Sequence, residues 1–278
     1  MPFIVSNWER YFIDNNEGLG TTYERFILHR YFQKIQAEHT IDSVLEVPSF
    51  GMTGVSGINS MWWAAQTIPV TVVDNDIARI AAIAKIWRQS GLKVNLVCQD
   101  NFSRLAFADN TFDLAWNFAA LWFIPNLTDF FIELARVAKK AIFICVPNIS
   151  NLFHHLHFDV PKGSESDLFL SNIEPTSIQS AMAEIGWTID KEGFFDIPPW
   201  PDIAMKKEDL LKRLGLHGMA KKWQKKRPGR MCILDYYANR DRELQQKVLK
   251  YDFLENMPLL FQRFWAHQRY FVFVPKIF

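Results

Sequence analysis

Short apolar runs alternate with amphipathic segments through the first half of the chain. Ser43–Val47 (SVLEV), Val70–Asp74 (VTVVD), Val94–Val97, Phe112–Trp116 and Ala141–Val146 (AIFICV) read as buried strands. Between them, Ile58–Gln66, Ile77–Gln89 and Leu127–Ala138 read as helices, the second ending at Gly91. An earlier helix spans residues 20–37; Thr21 or Thr22 can cap it, and Tyr23, Phe26, Ile27, Tyr31 and Ile35 share one face. Strands and helices in this alternation predict parallel βαβ units with both sheet faces covered.

The pattern loosens after Asn148. Residues 149–176 read as a loop-rich insertion, Pro175–Gly186 as a helix and Trp187–Asp190 as a strand. Phe194–Asp202 (FFDIPPWPD) is a proline-rich break, residues 206–264 are mostly helical, and Arg269–Val274 (RYFVFV) is a closing strand. One domain over residues 1–278 is expected, with a helical cover over 1–40 and a mainly helical insertion over 197–264.

Sheets of this kind bind ligands at the carboxyl ends of their strands. Glu46, Asp74, Asp100 and Asn117 fall at those ends, and the turn-rich loop Pro48–Gly57 (PSFGMTGVSG) follows the first strand. Acids at successive strand ends beside a glycine-containing loop describe a nucleoside-binding edge.

Composition narrows the partners. A formal net charge of +1 argues against a whole-domain nucleic-acid footprint. The stretch KKWQKKRPGR from Lys221 to Arg230 sits among acids and reads as a solvated helix end. Ten tryptophans suggest an aromatic-lined cavity or an interface such as a homodimer. The three cysteines are far apart, so neither a disulfide framework nor a zinc site is expected, and a reducing, cytoplasmic setting fits best. The N-terminus does not read as a signal peptide. No apolar run approaches the roughly 20 residues that span a bilayer, so stable membrane insertion is not expected.

Later segments carry a resemblance. Leu105–Asp113 (LAFADNTFD), Glu133–Lys139 (ELARVAK) and Ala141–Asn148, in that order, resemble a class I S-adenosylmethionine-dependent methyltransferase of the type that methylates small molecules. The resemblance covers roughly residues 40–195 and the last ten or so. It implies an α/β, Rossmann-like, seven-stranded, mostly parallel sheet with an antiparallel last strand. It also implies S-adenosylmethionine as cofactor and a small-molecule acceptor.

The roles implied follow the ligand. Asp74 matches the acid that holds the ribose diol, and Asp100 the group that meets the adenine, with Asn101 and Phe102 beside it. The family's glycine-rich loop after the first acid is altered. Counted from Glu46, Pro48, Phe50 and Met52 stand where glycines are usual. Gly51 and Gly54, with Thr53 as an added donor, are the candidates to hold the amino-acid tail. Asn117, Phe118 and Trp122 would lie beside the sulfonium and acceptor, where aromatic faces attract a cation. Tyr23 and Trp200 are candidate acceptor contacts. His154 and His155, in HHLH, are candidate general bases, since an imidazole titrates near neutrality; their spacing matches no standard metal site. Two other readings stay open: a methyltransferase fold that has lost catalysis and serves as a binding or partner subunit, and a nicotinamide-dependent dehydrogenase, whose glycine fingerprint is absent.

Overall fold

The computed structural model describes residues 8–51, 54–152, 168–199 and 231–276. Thr53, His154, His155, Trp200 and the basic stretch 221–230 lie outside the described residues.

Seven strands form one sheet in the order β3-β2-β1-β4-β5-β7-β6. They are β1 (Val44–Glu46), β2 (Val70–Asp74), β3 (Asn95–Cys98), β4 (Phe112–Phe118), β5 (Ala138–Pro147), β6 (Trp187–Phe195) and β7 (Gln268–Pro275). The β1–β2, β2–β3, β1–β4 and β4–β5 pairs are parallel, and β7 runs antiparallel to both β5 and β6. The Rossmann-like expectation, including the antiparallel last strand, holds.

The helices are α1 (Glu9–Asp14), α2 (Gly18–His39), α3 (Met61–Ala65), α4 (Ile77–Gln89), α5 (Leu127–Val137) and α6 (Pro175–Glu184), then α7 (Ile233–Tyr237), α8 (Leu244–Val248) and α9 (Leu259–Trp265). Strand alternation sends side chains to two cores. On one face, Val44, Val72, Trp116 and Phe143 pack with Phe26 and Phe32 of α2 and with Trp63 and Trp87. On the other, Leu45, Val73, Ala115 and Ile144 pack with Phe130 and Leu134 of α5 and Met182 of α6.

Local chemistry explains where the elements begin and end. Asp76 caps α4, accepting from Ala78 N at 2.8 Å and Arg79 N at 3.1 Å. Neither Thr21 nor Thr22 caps α2; the Thr22 hydroxyl donates back to the Gly18 carbonyl at 2.7 Å. The helix expected over Ile58–Gln66 is shorter because its first residues serve tertiary contacts. Asn59 accepts from Arg25, and Ser60 donates its amide to Glu46 and accepts from the Trp116 indole. Strand β6 runs five residues past the expected Asp190, to Phe195, through the polar stretch Lys191–Glu192. It lies at the sheet edge, where charged residues are tolerated, and Arg269 of β7 donates to Glu192 at 2.8 Å.

Candidate functional site

Two of the three segments that carry the family resemblance lock to each other. Arg136 of α5 donates to the carbonyls of Phe107 at 2.7 Å and Leu105 at 3.0 Å and to Asp109 at 2.8 Å. Glu133 accepts from the Leu105 amide at 2.7 Å and from Arg136. These charge-assisted bonds hold the approach to β4 in place, so this signature is architectural.

The strand ends gather Glu46, Asp74 and Asn117 at one edge of the sheet, with the loop after β1 folded across them. Asp100 and Asn101 lie just beyond the end of edge strand β3 and are exposed, while Phe102 turns inward.

Asp74 is satisfied from within the chain. Its Oδ1 accepts from Arg79 Nη2 at 2.6 Å and from the Asp76 amide at 2.9 Å. Its Oδ2 accepts from Arg79 Nε at 2.8 Å and from the Ser49 hydroxyl. Both side chains of the ion pair are buried, at 0% and 1% exposure. The guanidinium lies 5.1 Å from the Phe50 ring centroid and 5.8 Å from that of Trp8. Phe50 in turn packs on Phe102, at 6.0 Å, and on Phe123, at 5.8 Å.

The loop glycines face the protein. Gly51 (φ +123°) lies so close to the β4 exit that a Cβ would collide with the carbonyl oxygens of Phe118 and Ala119. A Cβ on Gly54 (φ +107°) would meet Glu17 and Arg25. That pair is a buried clamp: Glu17 accepts from the Val55 amide at 2.8 Å, and Arg25 donates to the Val55 carbonyl at 2.7 Å.

Two strand-end groups are unmet. Asn117 is fully buried, and neither atom of its amide has a hydrogen-bond partner. The buried Trp122 indole N–H lacks one as well. Buried polar groups are seldom left so, and each costs about 1–3 kcal/mol. Glu46 is buried; the Ser60 amide donates to it at 3.2 Å, and the Ser60 and Asn59 side chains also face it. Burial pushes its carboxyl up to about 7.

That shift has a sign. An acid whose pKa rises on folding, here from 4.5 to about 7, contributes stability below the unfolded value. The contribution is lost as pH climbs to the folded one. Between pH 4.5 and 7.5 the wild-type protein is therefore expected to lose about 3 kcal/mol relative to Glu46→Gln. Urea melts of both proteins across that range check this; a constant difference would remove the buried neutral acid.

Glu46 and Asn117 thus suit a polar ligand, but Asp74 cannot take a ribose diol while Arg79 holds it. S-adenosylmethionine in the family's binding mode does not fit this closed arrangement.

A second polar group lies further along the same edge, toward β6 and β7. His267 Nδ1 is 2.7 Å from Asp196 Oδ2, and the His267 amide donates to the Asp196 carbonyl at 3.0 Å. Gln268 donates to Glu24 of α2 at 2.7 Å. Tyr23, the expected acceptor contact, is fully buried and donates to Glu255 at 2.8 Å. Burial, then the nearby Asp196, raises Glu24 well above the usual carboxylate range. Burial likewise raises Glu255 to about 7. Phe118 sits between the two groups, its ring 6.0 Å from that of Phe195.

The sequence reading missed Arg79, Ser49, Glu24, Asp196, Glu255 and Gln268. Arg79 had a local signal, five residues after Asp74 and one turn into a capped helix. The others come from segments too far apart to carry one. Among the described residues, one group brings three potential metal-ligand atoms within 4.8 Å: Glu38, His39 and Asp190, two of them exposed and far from the strand ends. All three cysteines are free. No helix among the described residues is long and apolar enough to cross a membrane.

Comparison with known proteins agrees with the fold. No curated protein matches the chain in sequence. Among solved structures, a Galdieria sulphuraria protein assigned as a sarcosine dimethylglycine methyltransferase is similar at 13% identity and a TM-score of 0.52, over 89% of this chain and 85% of its own. A Bacillus halodurans C-125 protein assigned as a methyltransferase is similar at 13% identity and 0.52, over 90% and 99%. The MccD protein is similar at 15% identity and 0.53, over 90% and 96%. At such identities the likeness is one of fold. Residues 51–145 match the family model for a methyltransferase domain, carried on a sheet of the Rossmann-like methyltransferase fold.

Proposed function

We propose that the protein transfers a methyl group from S-adenosylmethionine to a small-molecule acceptor, at a strand-end site that opens to admit the cofactor. The observation that carries this reading is the fully buried, unsatisfied amide of Asn117 at the β4 exit, between Glu46 and the Phe118–Trp122 segment. A ligand with both donors and acceptors would complete it. In the open form Asp74 holds the ribose, Asp100 and Asn101 meet the adenine beside Phe102, and Gly51 and Gly54 lie along the amino-acid tail. The near-neutral charge of the chain supports a small acceptor over a nucleic acid. Three unpaired thiols suit a cytoplasmic setting.

Titration calorimetry with adenosylhomocysteine tests the reading. Saturable heat is expected at micromolar to millimolar ligand; no heat at millimolar ligand would end it.

A further inference from the structure

Among the described residues, the polar group at the β6 exit and the start of β7 holds more acceptors than donors. It gathers the carboxylates of Glu24, Asp196 and Glu255 with the amide of Gln268, and one imidazole, His267. Two nearby cations among the described residues are committed elsewhere. Arg25 binds Glu17 and the Val55 carbonyl, and Arg30 pairs with Asp252. Gln268 is 4% exposed, and its amide nitrogen is spent on Glu24. Its carbonyl oxygen, held in the same cluster, is buried and accepts no hydrogen bond. The second oxygen of Glu255 is also buried without a donor.

A buried cluster with acceptors in excess is completed by a ligand that brings donors and positive charge. We infer that Glu24, Gln268, Asp196 and Glu255 form a binding site for the protonated amino group of an amine. On the methyl-transfer reading, on which this rests, the ammonium is a part of the acceptor that anchors it beside the atom to be methylated. A neutral hydroxyl would satisfy the Gln268 oxygen but leave the raised carboxyls of Glu24 and Glu255 protonated; an ammonium satisfies the oxygen and favours their ionised form.

The place suits an acceptor. Gln268, which holds Glu24, pairs in register with Pro147 of β5, two residues beyond Cys145. Cys145 pairs in register with Phe118 of β4, the residue next to the unmet Asn117. Phe118 and Phe195 supply an apolar wall beside the acids. The amine site thus adjoins the strand ends assigned to the cofactor, with Phe118 between the two.

Benzylamine and benzyl alcohol, similar in shape and different in charge, provide the test. Each is titrated into the full chain at pH 7.5, with and without adenosylhomocysteine, and binding is followed by calorimetry and thermal shift. Benzylamine is expected to bind at least tenfold more tightly than the alcohol. Glu24→Gln, which keeps a partner for Gln268, is expected to abolish that preference, and Glu255→Gln to reduce it. Equal affinities for the two probes, or an undiminished preference in both variants, would overturn the inference. Adenosylhomocysteine binding without an amine preference would remove this site and leave the methyl-transfer reading intact. An amine preference without adenosylhomocysteine binding would do the reverse.

Discussion

Replacing Asp74 by alanine is expected to cost about 3–5 kcal/mol of folding stability, because it strands the buried Arg79 guanidinium. Arg79→Met removes the other partner, keeps much of the aliphatic volume, and is expected to cost a similar amount. Both effects follow from an ion pair at 2.6 Å whose side chains are at most 1% exposed. Chemical denaturation of the variants measures them.

Ligand affinity should separate the pair where stability does not. If Asp74 receives the ribose, Asp74→Ala binds adenosylhomocysteine more weakly than wild type. Arg79→Met binds it at least tenfold more tightly, a difference of about 1.4 kcal/mol, because no internal cation has to be expelled. A ligand that must first break a buried pair has its affinity reduced by that step. Equal affinity in wild type and both variants would show the pair to be structural and remove the ribose assignment.

Much of this frame is legible in the sequence because burial on both faces leaves a simple pattern. Val70–Asp74 is apolar to its last residue, and that last residue is the acid. Asp76 announces the start of α4 by the chemistry of a cap. The closed state of the site is less legible, although its causes are local. Arg79 sits in IARIAAIAKIWRQ as one of three basic residues of an amphipathic helix. Only the turn between β2 and α4 brings it back onto Asp74. Phe50 stands out as an aromatic where a glycine is usual, but its partners, Phe102 and Phe123, come from two other strand exits.

The acid cluster is hidden for a different reason. Gln268 and Glu24 are 244 residues apart and Tyr23 and Glu255 are 232 apart, and Glu24, Glu255 and Gln268 each look like ordinary surface residues in their own segments. Antiparallel β7 brings His267 and Gln268 to the carboxyl end of the parallel strands. That reversal lets the last strand deliver polar residues to the ligand edge, as no further parallel strand could do from its first residue.

The loop itself is open to a direct test at Gly51. An alanine there would have to adopt φ near +123°, a strained conformation for any residue with a Cβ, with that Cβ driven into the Phe118 and Ala119 carbonyls. Backbone strain of about 1–3 kcal/mol and overpacking of about 1–3 kcal/mol make a total near 4 kcal/mol the expected loss, unless the loop lifts from the β4 exit. Gly91→Ala supplies the control. It also carries positive φ, at +68°, but nothing lies within 4 Å of its added Cβ, so it should cost only about 1–2 kcal/mol. Hydrogen exchange locates the damage. In Gly51→Ala the Ser49 and Gly57 amides, which bond Val73 and Ser49, should lose protection while the core of β2 keeps it. Equal losses in the two variants would mean that the loop does not press on the β4 exit. An intact loop in Gly51→Ala, with Ser49 and Gly57 fully protected, would mean the same. Either result would leave the strand ends open and make Arg79 the remaining barrier to the cofactor.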